Sequence, residues 1–177
     1  MVAAFRMRPY ADRMTRTPRQ TLWVSIAGFL AVAMYAAFGA VQILVLNPLA
    51  AAPGLTLQQM HLEMSAAGES LNAPSVIAIL GLGVALALFV AVGCLLGRVQ
   101  PTRAAAAFLL LLMLGVPAYF VASFGPGMSL ADAFGISGAD ASPWALPLYA
   151  VSALAMFGFA GLLIWEALRP RPKLASV

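Results

Sequence analysis

Residues 75–103 read SVIAILGLGVALALFVAVGCLLGRVQPTR: 23 residues without a charge, then a six-residue link from Arg98 to Arg103 that holds Pro101. At 1.5 Å per residue, an apolar helix of that length crosses a hydrocarbon core of about 30 Å. The link leaves no room for any geometry except an antiparallel hairpin with the apolar run that begins at Ala104. Working outward from this hairpin, similar runs precede and follow it, which predicts spans over about 22–46, 75–96, 104–124 and 144–168.

The basic residues orient these spans. Arg6, Arg8, Arg13, Arg16 and Arg19 precede the first, Arg98 and Arg103 separate the second from the third, and Arg169, Arg171 and Lys173 follow the fourth. These are all ten basic residues, and all fall where the spans put one side of a membrane. Lys and Arg beside helix ends stay cytoplasmic. The expected fold is an all-α integral membrane protein: a four-transmembrane-helix bundle with both termini cytoplasmic. Three parts follow from this: a basic segment over 1–20, a membrane domain over 21–168 and a basic tail over 169–177.

Composition agrees. Hydrophobic residues make up 63% of the 177, charged residues 9%, and no polar segment is long enough for a separate soluble core. A net charge of +4 in a soluble chain would suggest nucleic acid. Here the positive charges flank spans, so anionic lipid headgroups are the expected counter-ions and nucleic acid is not a partner. Cys94 is the only cysteine, which excludes an intrachain disulfide, and nine arginines with one lysine and abundant alanine suggest a bacterial inner membrane.

Local signals refine the spans. Asn47-Pro48 is expected to stop the first helix, because proline disfavours helix in the residue before it. Thr56 and Gln59 form a capping-box pattern ahead of Leu57, Met60, Met64 and Ala67 on one face, predicting a short amphipathic helix in the first outside loop that Gly68 ends. Gly115 and Pro117 predict a kink in the third span. Gly125-Pro126-Gly127 predicts a turn into a flexible second outside loop, 125–143.

Candidate functional residues fall into three groups. Small residues on stripes suit close helix packing: Ala33, Ala36, Ala37 and Ala40 on the first span, Gly83, Ala87 and Ala91 on the second, and a GxxxG pair, Gly93 with Gly97. Tyr35 and Gln42, with the kink at Gly115 and Pro117, could line a ligand pocket. Met60, His61 and Met64 fall within about a 100° arc and offer soft ligands that suit Cu(I). Two bland expectations accompany them: methionines on such a helix usually face the membrane, and Glu166 pairs with Arg169.

Catalytic patterns are weak. His61 with Ser65, Ser70, Asp132 or Asp140 would have to assemble a nucleophile and base across loops, and Asp132 with Asp140 lies in one loop. No charge sits at the centre of a span, which argues against an ion-coupled pump. The reading is a non-catalytic accessory subunit, assembly factor or scaffold of a membrane complex, with no cofactor, partnered by other integral membrane proteins or by itself. An uncoupled transporter or a lipid- or small-molecule-binding protein is the alternative; an enzyme working at the outer surface is the third.

Overall fold

A computed structural model of the chain describes residues 19–169, and every regular element among them is helical. The basic segment 1–20 and the tail 169–177 therefore lie almost wholly outside the described residues. In chain order the elements are α1 (Arg19–Val41), a π-helical turn (Gln42–Leu46), α2 (Asn47–Ala51), α3 (Leu57–Ala66), α4 (Ala73–Leu95), α5 (Pro101–Met113), α6 (Gly115–Phe134), a 3-10 turn (Pro143–Ala145) and α7 (Leu146–Leu168). Four runs are long and apolar enough to cross a membrane: Arg19–Ala51, Ala73–Leu95, Pro101–Phe134 and Pro143–Leu168.

In lipid the bundle is held by close packing rather than by exclusion of water. α1 lies along α4 and against α5, and α7 packs mainly on α5. Ala36 joins Tyr35, Val76, Leu80 and Tyr119 in one buried cluster, while Ala87, Ala91, Cys94 and Ala104 join Val32 and Phe108 in another. Gly28 lets the Phe108 ring lie directly against the α1 backbone, where a side chain would overlap it. The small-residue stripes are thus largely covered within the chain: Ala36, Ala87 and Ala91 are buried, Ala33, Ala40 and Gly83 are half-buried, and Ala37 is exposed.

The Gly93–Gly97 pair is a different device from the packing motif its spacing suggested. Gly97 lies past the end of α4 at φ +70°, with its N–H donating to the Cys94 carbonyl and Arg98 N–H donating to the Gly93 carbonyl at 2.9 Å. This is a Schellman cap, which needs a residue free to adopt the left-handed region. Gly93 packs against Val99, whose side chain would be 3.2 Å from a Cβ there.

Two spans overrun their predicted ends. The first continues through Asn47-Pro48 for 33 residues in all, because the π turn resets the helix: Asn47 N–H reaches back five residues to the Gln42 carbonyl. Pro48 then falls in the first turn of α2, where its missing N–H has no intrahelical partner to lose. The third continues through Gly125-Pro126-Gly127 for 34 residues, so the predicted turn is helix and only 135–142 is loop. Gly125 has no Cβ to strike the proline ring, which removes part of the usual penalty. At about 50 Å each, both exceed the hydrocarbon core.

Both overruns occur at the same end of the bundle, and α3 packs across them. Met60, Met64, Leu71 and Leu130 form a third buried cluster there, flanked by Leu44, Ala51, Ala133, Phe134 and Ile136. The capping box is formed: Thr56 N–H donates to Gln59 Oε1 at 2.8 Å, and Gln59 N–H donates to Thr56 Oγ1 at 3.3 Å. Gly68, at φ +79°, ends α3 with Glu69 N–H donating to the Met64 carbonyl at 2.8 Å. This assembly is a cap on one end of the bundle.

Candidate functional site

Polar side chains gather where the cap meets the bundle, and the π turn explains two of them. In an α-helix, residues five apart diverge by about 140°. The five-residue closure of a π turn brings them back to nearly the same face. Gln42 and Asn47 are five apart, both buried, and both reach the loop before the last span. Asn47 Oδ1 accepts from the N–H groups of Ala141 at 2.7 Å and Ser142 at 3.2 Å. Gln42 Nε2 donates to the Ser142 carbonyl at 3.4 Å, and Ser142 Oγ donates to Gln42 Oε1 at 3.3 Å. By length, Asn47 is the stronger anchor.

Two further anchors hold the same loop. Asp140 Oδ1 accepts from the Tyr119 hydroxyl on α6 at 2.8 Å, and Oδ2 accepts from the Tyr149 hydroxyl on α7 at 3.0 Å. The two rings meet edge to face at 6.0 Å, so one carboxylate ties two spans together. Gly138 lies on Gly127: a Cβ on Gly127 would come within 2.8 Å of the Gly138 carbonyl oxygen. The glycine read as a turn residue is the seat for the loop, and the expected flexible loop is pinned at three places. A cleft of about 540 Å3 opens beside it, lined by Asp140, Ser142, Pro143, Leu146 and Tyr149 with three alanines between them.

A second polar chain lies deeper in the bundle. Ser152 Oγ donates to the Leu112 carbonyl at 2.8 Å, which leaves the Tyr35 hydroxyl to donate to Ser152 Oγ at 3.1 Å. Gly115 makes this possible, since a Cβ there would sit 2.6 Å from the Tyr35 ring. The predicted kink is a break at Leu114 between α5 and α6, and Pro117, lacking an N–H, frees the Met113 carbonyl four residues earlier. Of the four predicted pocket residues, Tyr35, Gln42 and Gly115 are buried in the polar region, whereas Pro117 is exposed. The Tyr35 hydroxyl is taken by Ser152 and the Gln42 amide by Ser142.

The other candidates separate. Met60 and Met64 are buried in the cap rather than facing a membrane, while His61 between them is exposed. Among the described residues no group of three or more His, Cys, Asp or Glu side chains is placed to hold a metal. Asp132 lies on α6 and is exposed; Asp140 lies in the loop with its two tyrosines. Arg169, expected to pair with Glu166, stands over the Trp165 ring, 5.5 Å from its centroid. Ser25 is buried with no partner for its hydroxyl, and Ser123 bonds only its own helix, to the Phe120 carbonyl.

Asn47, Tyr119, Asp140, Ser142, Tyr149 and Gly127 carry the site without having been read that way in the sequence. A signal for Asn47 was present: two amides five residues apart at the end of an apolar run are costly in lipid unless both find partners. Comparison with models of protein families, with characterised proteins and with solved structures gives no match for this chain. Fold and site together define a class: a chain of four helices able to cross a membrane, closed at one end by a hydrogen-bonded cap.

Proposed function

We propose that the chain is a non-catalytic accessory or assembly subunit of a membrane complex, with its capped end outside, its termini in the cytoplasm and the cap as the surface offered to a partner. The sidedness follows from the basic residues, none of which falls between 20 and 97 or between 104 and 168. The observation that supports the role is how polar side chains are used. Gln42, Asn47, Tyr119, Ser142 and Tyr149 spend their polar groups on hydrogen bonds that fix the shape of the cap. A partner then meets a preformed surface edged by Glu63, Asp132 and His61, all exposed.

Mild detergent extraction of the tagged chain from its native cells, followed by mass spectrometry and particle sizing, tests this. The expected result is a defined set of membrane proteins in fixed ratio. Glu63→Lys with Asp132→Lys should lower partner recovery several-fold without changing the elution of the isolated chain. A chain that emerges alone contradicts the proposal.

A further inference from the structure

We propose that the cleft beside Asp140 binds an organic ammonium, a small cation whose nitrogen carries alkyl groups, either free or as the headgroup of a lipid. The reading goes beyond a role in assembly and rests on the chemistry of one carboxylate. Each oxygen of Asp140 accepts one phenolic hydrogen, at 2.8 and 3.0 Å, which fixes the carboxylate in place. A carboxylate has about four lone-pair sites, so capacity remains on the side away from the tyrosines. No Lys or Arg occurs between 104 and 168, Asp140 is exposed, and among the described residues no ion pair is formed with it; the one basic side chain of the capped end, His61, lies on α3.

The cleft fits an alkylated ammonium better than an inorganic ion. It is a shallow depression of about 540 Å3, largely open on one side, which suits a headgroup-sized cation held at its charged centre rather than a ligand enclosed on all sides. A hard divalent cation takes six or more oxygens, and this wall offers one carboxylate already engaged by two phenols. Ser142 also lines it, with its hydroxyl donated to Gln42, and the remaining wall is alanine, Pro143 and Leu146, suited to methyl groups rather than to a hydration shell. Tyr149, 40% exposed, adds an aromatic surface of the kind that attracts quaternary ammonium. Asp140 precedes the last span by three residues, placing the cleft near headgroup depth, so free cation and lipid are both possible sources.

The test uses the intact protein in maltoside micelles, with choline as probe and 3,3-dimethyl-1-butanol, its uncharged isostere, as control, followed by ligand-observed NMR titration. Choline should bind at least about tenfold tighter than the isostere, and Asp140→Asn should erase that difference. Asp140→Glu, which keeps the charge, should keep part of the binding. Native mass spectrometry of micelles doped with phosphatidylcholine or phosphatidylglycerol then separates the sources. Retained phosphatidylcholine that is lost in Asp140→Asn identifies a lipid headgroup, and choline binding without retained lipid identifies a free cation. Should Asp140→Asn not fold, the comparison of choline with its isostere on the unaltered chain decides. Equal binding of both probes, binding of neither, or undiminished choline binding by a folded Asp140→Asn overturns the proposal.

Discussion

The two ends of this bundle solve the same problem differently. At one end α4 turns into α5 through a glycine cap and a short link, and the polar groups near it are simple: Thr21 and Ser25 are buried, and Arg98, Arg103 and Arg169 are exposed. At the other end two helical runs exceed the length of a hydrocarbon core, α3 packs across them, and Gln42, Asn47, Tyr119 and Tyr149 bind the last loop at Asp140, Ala141 and Ser142. The difference teaches where specificity lies in a protein made mostly of apolar helices. The link end needs only turn chemistry, whereas the capped end has a shape that depends on named hydrogen bonds.

The comparison breaks most visibly at Gly127. Gly127→Leu should destabilise the protein by about 3 kcal/mol, because a side chain there must displace the Gly138 backbone rather than a flexible side chain. Gly161→Leu, on the half of α7 away from the cap where a Cβ meets nothing within 4 Å, should change stability by less than about 0.5 kcal/mol. Unfolding of both variants in mixed micelles of rising SDS fraction measures the contrast. Equal losses would mean that the ends are not distinct.

Asn47→Ala comes next. It leaves the buried Ser142 N–H without its acceptor and should cost about 2 kcal/mol in the same assay, with faster proteolysis inside 135–142. Thr56→Ala removes half the capping box and should cost about 1 kcal/mol, lowering the thermal midpoint without changing the helix content of the spans. The smallest effect belongs to the link end: Ser25→Ala removes a buried hydroxyl that has no partner, so stability should stay within about 0.5 kcal/mol of the parent or rise. A loss above 1 kcal/mol there would reveal a hidden polar network at the end taken to be simple.

The spans were legible because apolar runs of this length have few alternatives, and the hairpin because the link at Arg98 is too short for anything else. Their ends were not legible. Pro48 and Pro126 read locally as stops, yet a π turn shelters one and flanking glycines with the buried Leu130 accommodate the other, so tertiary packing overrides the local signal. The site was half visible. Gln42 and Tyr35 stood out as polar groups in lipid, and Gly115, read as part of a kink, stands at the break and is also the seat of the Tyr35 ring. The role of Tyr149 depends on Asp140, nine residues earlier across the start of a span.

The most direct test of a rigid, hydrogen-bonded cap is hydrogen exchange measured by mass spectrometry on the protein in lipid nanodiscs, with and without Asn47→Ala. The Ala141 and Ser142 amides should exchange orders of magnitude more slowly than free amides in the parent and lose that protection selectively in Asn47→Ala, while the α4 and α5 amides stay protected in both. Rapid exchange at Ala141 and Ser142 in the parent would contradict the account, since the capped end would then be a loose loop rather than a built surface.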